Sequence, residues 1–366
     1  MQSNSPTMIA PGATIGILGG GQLEKMTALA ASHLGYRTCI LCPEGDNPAA
    51  LVSNNIIISH YDNKDNLSNF SNSSEVMTLC FENIDDAVVE ALAKQGRIYP
   101  GAEIIRIAQH RLREKAYFRE HGVQTADFYP VHSLAELETG VRSLPQGCGL
   151  LKSCRFGYDG KGQYKIDLGT DLAEIWAQAG FEEAVLEAWV PFKTEVSAIV
   201  ARSTNGEMRA FPVAENTHRE GILHTSRVPA QVPHAVAEQA QAITLQLAEA
   251  LDVVGLLTVE FFALEDGTLL ANEMAPRPHN SGHWTMDGCV TSQFEQLVRA
   301  ICGLPLGAVE VTVPVTMENL LGEDVLHYAT QLADPAVRLY IYGKQGLRPG
   351  RKTGHINRLH LSPRAE

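Results

Sequence analysis

Two glutamates carry the chemistry that the spacing makes most specific. Glu260 and Glu273 lie in apolar-rich runs, Leu256 to Leu264 and Thr268 to Met274, joined through Glu265-Asp266-Gly267-Thr268. Asp-Gly is a preferred hairpin turn. A two-residue loop pairs Glu265 with Thr268, and Glu260 then stands directly opposite Glu273. Side chains so paired share a face, with Cβ atoms roughly 4.5–5.5 Å apart. Two carboxylates at that distance repel unless something neutralises them. A divalent cation answers this, and hard oxygen donors suit magnesium. A dyad sharing one proton and an inserted basic side chain are the other solutions.

A second group of residues suits phosphate. Gly157-Tyr158-Asp159-Gly160-Lys161-Gly162-Gln163 places a lysine between two of three glycines, and Lys152 precedes it by five positions. Such a loop can fold backbone amides onto phosphates. It is not a P-loop, because no Gly-Lys-Ser/Thr follows four spacer residues. A plain hairpin turn explains the glycines but not the Asp, Lys and Gln among them. Two residues after Glu273 begins Ala275-Pro276-Arg277-Pro278-His279-Asn280-Ser281-Gly282-His283-Trp284. Its donors beside a carboxylate pair suit a substrate pocket. His279 and His283 are four apart, but the prolines and Gly282 argue against the helix that would align them on zinc. Arg348-Pro349-Gly350-Arg351-Lys352-Thr353-Gly354-His355 is a further donor-rich stretch, either a phosphate clamp or a solvated loop.

The N-terminal glycines carry less. Gly19-x-Gly21 opens a helix after a buried strand, but Glu24 stands where a dinucleotide fingerprint needs its third glycine. This counts against an NAD-dependent oxidoreductase. The helix start remains an expected anion site, with Lys25 as a nearby cation. Cys39 and Cys42 form a C-x-x-C inside a short apolar run. Residues three apart on a strand point to opposite faces, so buried small side chains are expected there, not metal ligands. Gly-x-Ser-x-Gly, His-Glu-x-x-His and EF-hand spacings are absent.

The elements that must position these residues alternate early in the chain. Strands are predicted at Thr14 to Leu18, Arg37 to Leu41, Ile56 to Ile58 and Met77 to Phe81, with a helix over Gln22 to Leu34 and a weak helix or loop over Asp62 to Ser74. Alternation implies a parallel sheet covered on both faces. A helix-rich stretch, Ala102 to Gly122, carries Arg111, Arg113 and Lys115. Gly149 to Val200 suggests short strands and glycine-rich turns, with Pro191 as a hinge. A helix over His234 to Leu251 leads into the hairpin, and Arg338 to Leu361 suggests short strands. Met1 to Gly12 is expected to be a disordered tail. Soft boundaries fall near 110 and 190, giving domains at 1–110, 111–190 and 191–366.

Composition narrows the classes. The 366 residues are 45% hydrophobic and 19% charged, with a net charge of −13. That excludes collagen-like, coiled-coil and disordered chains. The acid excess argues against nucleic acid as a partner. No apolar run approaches the ~18 residues of a membrane span, and the first residues lack a signal-peptide pattern. Seven irregularly spaced cysteines suit a reducing compartment, hence the cytoplasm.

Taken together these segments resemble the ATP-grasp enzymes, and among them the 5-(carboxyamino)imidazole ribonucleotide synthase family of purine biosynthesis. The resemblance rests on Gly19-Gly20-Gly21-Gln22-Leu23, Phe81-Glu82-Asn83, the loop 157–163, Asn272 to Trp284 and the tail from Arg348 to His355, and spans Ile15 to Ile356. It departs at Glu24-Lys25-Met26, where the family usually has Gly-Arg-Met.

The resemblance implies an α/β and α+β chain of three domains, with a Rossmann-like parallel sheet first and ATP held between the second and third. Arg111 and Lys152 would then meet nucleotide phosphates, and Gly157, Tyr158, Asp159, Gly160, Lys161, Gly162 and Gln163 would close over them. Glu187, Ala188, Trp189 and Val190 become the adenine hinge. Glu195 takes the ribose hydroxyls, with His218 and Asn272 as further nucleotide contacts. Glu260 and Glu273 become magnesium ligands. Gln22, Glu82, Asn83, Tyr158, Asp159, Arg277, Asn280, Lys344, Arg351 and Lys352 would form the ribonucleotide pocket, with Tyr158, Asp159, Arg277 and Lys352 catalytic. The implied reaction carboxylates 5-aminoimidazole ribonucleotide with bicarbonate and ATP, through carboxyphosphate, without NAD or biotin, in a homodimer. Alternatives are an ATP-grasp relative with another acceptor, formate- or biotin-using, and a catalytically dead nucleotide-binding module.

Overall fold

The computed structural model describes residues 8–155, 157 and 162–361. The N-terminal sheet contains β1 (Thr14–Leu18), β2 (Arg37–Cys42), β3 (Asn55–Ile58), β4 (Val76–Leu79) and β5 (Ile98–Tyr99), all parallel, in the order β3-β2-β1-β4-β5. A central parallel strand is covered on both faces, which is why β1 and β4 are runs of apolar residues without alternation. The covering helices are α1 (Gln22–His33), α2 (Lys64–Asn72) and α3 (Asp86–Ala93). The Asn- and Ser-rich stretch is helical in α2 because Asn63 caps it, its side chain accepting from the Asn66 amide at 3.0 Å. In β2, Cys39 and Cys42 join different core clusters, as strand alternation requires.

The short helices α4 (Ala102–Ala108) and α5 (Arg111–Glu120) lead to a four-stranded antiparallel sheet: β6 (Phe128–Val131), β7 (Gly149–Ser153), β8 (Gln163–Ile166) and β9 (Ala184–Ala188), ordered β6-β9-β7-β8. It carries α6 (Leu134–Ser143) and α7 (Leu172–Ala179). The expectation of only strands and turns between Gly149 and Val200 is corrected by α7. Its signals are a cap at Asp171, whose side chain accepts from Ala173 and Glu174, and Gly180 at φ +59° after its last turn.

The third sheet has nine strands: β10 (Thr194–Arg202), β11 (Met208–Ala210), β12 (Ala214–Arg219), β13 (Ile222–Val228), β14 (Gly255–Ala263), β15 (Leu269–Ala275), β16 (Val315–Leu321), β17 (Val337–Ile341) and β18 (Lys352–Leu359). Its helices are α8 (His234–Ala250), α9 (Thr285–Gly288), α10 (Gln293–Ile301) and α11 (Tyr328–Leu332). In β10, Val196, Ala198 and Val200 join the core that contains α8, while Ile199 and Ala201 join the opposite core. Glu195 and Ser197 share that second face, so alternation aims them at the site. The core containing Ile199 and Ala201 is continuous from the N-terminal sheet to α10, because α1 packs against α10. The tail is ordered where it is described: Ile9 is buried, and its carbonyl accepts from the Tyr36 hydroxyl at 2.6 Å. This corrects the expectation of disorder for residues 8–12.

Candidate active site

The hairpin places Glu260 opposite Glu273, by a different route from the one its sequence suggests. The last regular pair is Ala263 with Leu269, so the connection is longer than two residues and the register is shifted by one. A β-bulge between Glu260 and Phe261 then makes Asn272 an extra residue and restores the shift. In the unbulged register Asn272 would oppose Glu260, and Glu273 would face the other side of the sheet. Burial and the Glu273 charge push the Glu260 carboxyl up to about 8. Burial also opposes the Glu273 charge, but Arg111 and Lys152 outweigh it and hold that carboxyl below its usual range. His279 Nε2 lies 3.4 Å from Glu260, and burial together with Arg277 pushes this imidazole down to about 3, so it is neutral at pH 7. His279 therefore brings no charge to the Glu260 side of the pair. The donor set suits a hard divalent ion, and in the same strand Asn272 Oδ1 is buried without a hydrogen-bond partner.

Cations gather on one side of this pair. Arg111, Glu114 and Lys115 share a face of α5, being three and four residues apart. Arg111 Nη1 reaches Glu273 at 3.2 Å. Lys115 Nζ reaches Glu187 at 3.2 Å and the Asn272 carbonyl at 3.3 Å, while Lys152 Nζ reaches the other Glu187 oxygen at 2.9 Å. Burial opposes the Glu187 charge, yet Lys115, Lys152 and Arg111 lower its carboxyl to about 2. Glu114 accepts from the Met274 amide at 2.6 Å, and burial raises it to about 8. Lys115 and Glu114 were not among the residues expected here. Their signal was available in the sequence as the helical spacing from Arg111.

The predicted hinge and ribose contacts lie along the same wall. The amides of Ala188 and Trp189 already donate to the Asp127 and Cys148 carbonyls, at 2.8 and 3.1 Å. Glu195 lies 2.8 Å from His218 Nδ1; burial disfavours the imidazolium, but Glu195 raises the His218 pKa. Below them, Ser197, Asn216, Ser226 and Ser281 form a buried chain of hydrogen bonds, with Ser197 Oγ 2.7 Å from Ser281 Oγ. Gly157 and Gln163 flank the glycine loop; Tyr158, Asp159, Gly160 and Lys161 lie outside the described residues.

On the far side the site reaches the carboxyl ends of the N-terminal strands, where open α/β sheets bind ligands. Arg277 forms a two-point ion pair with Glu82, its Nη2 2.9 Å from Oε1. Asn83 beside it is exposed. Asn280 and Asn319 exchange amide hydrogen bonds at 2.9 and 2.8 Å. From the tail, Lys344 Nζ donates to the Lys352 carbonyl at 2.9 Å, and Arg351 pairs with Asp46 at 2.6 Å. Burial and the neighbouring Arg351 and Lys352 pull Lys344 down to about 8. Gln22 begins α1.

One expectation fails here. Glu24 is buried against Gly19 and Gly21 and accepts from the Glu24 and Gly21 amides. Its own carboxylate fills the helix start that was expected to hold an anion. Lys25 turns away and donates to the Tyr342 carbonyl at 2.8 Å.

Family models agree with this architecture. An ATP-grasp domain matches residues 116–294, a ribonucleotide synthetase preATP-grasp domain 12–109, and a phosphoribosylaminoimidazole carboxylase C-terminal domain 316–365. The fold and site are those of an ATP-grasp enzyme. The N5-carboxyaminoimidazole ribonucleotide synthase of Bacillus subtilis (strain 168) is 43% identical over 96% of this chain and 93% of its own. A crystal structure of such a synthetase in complex with ADP is 42% identical with a TM-score of 0.94, covering 97% of this chain and 94% of that one. One from Aspergillus clavatus, in complex with ADP and 5-aminoimidazole ribonucleotide, is 28% identical with a TM-score of 0.89, covering 95% and 94%. The chain belongs to the N5-carboxyaminoimidazole ribonucleotide synthase family, and is an ATP-dependent ligase of purine biosynthesis.

Proposed function

We propose that the chain uses ATP to carboxylate 5-aminoimidazole ribonucleotide with bicarbonate, and that Glu273 is the point where its two half-sites meet. The carrying observation is that Glu273 is bound by Arg111 at 3.2 Å on the nucleotide side and lies in the field of Arg277 on the other. Arg111, Lys115 and Lys152 would hold the ATP phosphates, with Glu187 aiming both lysines. Adenine would meet the chain at Val190, and the ribose hydroxyls would meet Glu195, oriented by His218. Glu260, Glu273 and the unpartnered Asn272 oxygen would hold magnesium, which when bound offsets the charge on the transferring phosphoryl group.

A bicarbonate oxygen attacks the γ-phosphorus and the bond to ADP breaks, giving carboxyphosphate. The exocyclic amine then attacks the carboxyl carbon, phosphate leaves, and the amine loses a proton. Arg277, fixed by Glu82, provides a positive wall beside the carboxyl being transferred. Lys344, Arg351 and Lys352 would take the ribonucleotide phosphate, and Gln22, Asn83 and Asn280 its neutral groups. With a three-part division at 110 and 190, the nucleotide would lie at the second boundary and this pocket against the first sheet. Seven unpaired cysteines, six of them buried, support a reducing compartment and hence the cytoplasm. A homodimer is the expected assembly, checked by light scattering.

Phosphate release is measured with ATP, magnesium and bicarbonate, with and without 5-aminoimidazole ribonucleotide. Release that requires the ribonucleotide, with the carboxylated product formed in equal amount, supports the reading. Release indifferent to it points to another acceptor.

A further inference from the structure

His110, Cys154 and Glu183 lie outside the nucleotide and ribonucleotide pockets and bring one donor atom each within 4.8 Å of one another. They come from three separate segments: His110 precedes α5, Cys154 follows β7, and Glu183 precedes β9. Backbone bonds hold those segments together, from the Arg111 amide to the Cys154 carbonyl at 3.0 Å and from the Cys154 amide to the Glu183 carbonyl at 3.4 Å. The donors are thus placed by the fold, not by side-chain chance.

An ordinary hydrogen bond accounts for His110 Nε2 at 2.8 Å from Glu183 Oε2. It does not account for the thiol beside it, nor for His110 Nδ1, which is buried without a hydrogen-bond partner in a side chain only 7% exposed. A fourth donor stands ready. His132 Nε2 is 3.6 Å from the second Glu183 oxygen, and its Nδ1 is 3.2 Å from Glu136. A carboxylate behind one ring nitrogen is how proteins orient a metal-binding histidine through the other. Glu183 and His132 have side chains 38% and 53% exposed, so the cluster opens to solvent on their side.

We propose that His110, Cys154 and Glu183 form a site for a borderline-soft divalent cation of the zinc class, with His132 available as the fourth ligand. Nitrogen, sulfur and a single carboxylate select such an ion over magnesium, which prefers oxygen donors. A tetrahedral shell with Zn–N near 2.0 and Zn–S near 2.3 Å separates its donors by roughly 3.3–3.8 Å. The observed spacing needs only a small contraction. Binding would release the Cys154 thiol proton to solvent, as thiolate ligation requires. The ion would tie the start of α5, which carries Arg111, to the strand that carries Glu187, without touching either residue.

The test is a titration of the metal-free full chain with cobalt(II), a spectroscopic stand-in for zinc, in millimolar magnesium. One equivalent should produce near-ultraviolet thiolate-to-cobalt absorption, and zinc should displace it. Cys154→Ser should abolish the band. Glu183→Gln, at a partly exposed position that tolerates the change, should keep the fold by circular dichroism and weaken cobalt binding at least tenfold. No band in the unaltered chain, a band that survives in Cys154→Ser, or unchanged affinity in folded Glu183→Gln would each overturn the assignment.

Discussion

Glu260 and Glu273 face each other because Asn272 is one residue too many for the strand that carries it. The bulge re-aims Glu273 from one side of the sheet to the other, as bulges beside active sites commonly do. Replacing Glu273 by Gln keeps the shape and removes the charge. We expect turnover to fall by about a hundredfold or more, with the melting temperature retained. Near-normal kcat would remove Glu273 from the chemistry.

Glu187 lies between two buried lysines, and Lys115 also reaches the backbone at Asn272. Lys115→Met should therefore weaken ATP binding by about 2 kcal/mol, roughly thirtyfold. The ribonucleotide KM should move far less. Equal changes in both constants would mean that Lys115 supports the fold and not the nucleotide.

Lys344 carries its charge below about 8 and sheds it as pH rises through that value, against an ordinary 10.5. A phosphate ligand needs the charged form. The ribonucleotide KM should rise above pH 8, and Lys344→Met should raise the KM and flatten that rise. A ribonucleotide KM that is level from pH 7 to 9 in the unaltered chain would contradict the assignment.

Glu82 and Arg277 are 195 positions apart in the chain and form a two-point pair, with side chains 24% and 17% exposed. Burial opposes the Glu82 charge, and Arg277 more than offsets it. Glu82→Ala strands the guanidinium, so unfolding in urea should show a loss of about 3 kcal/mol. A loss within about 0.5 kcal/mol, typical of surface changes, would show that the pair is solvated.

Glu114, raised to about 8 from 4.5, gives a stability dependence of definite sign. A carboxyl whose folded pKa is raised contributes fully below its unfolded pKa, and that contribution is lost as pH rises through 8. Thermal melts from pH 5 to 9 should show Glu114→Gln declining less steeply than the unaltered chain. Parallel curves would mean that Glu114 titrates normally.

The parallel sheet was legible because β1 and β4 must be apolar on both faces, a pattern no exposed strand shares. The facing glutamates were legible for a partly mistaken reason. The turn chemistry at Asp266-Gly267 implied too short a loop, and the bulge cancelled that error. No local signal announces such a bulge, since the fit of neighbouring strands decides it. Glu114 and Lys115 were missed although their spacing from Arg111 was in view, because a charged helix face looks solvated until its partner is known. The start of α1 was misjudged for the opposite reason. A dipole attracts anions in general, and sequence alone does not say that the nearest one will be the helix's own side chain.

That side chain, Glu24, has a consequence for what the first sheet can become. A turn of this shape in other proteins cradles pyrophosphate, yet here the cradle is plugged from within. The Glu24 carboxyl occupies the space at this turn, so any ligand laid against the N-terminal sheet meets a filled helix start and not bare amides.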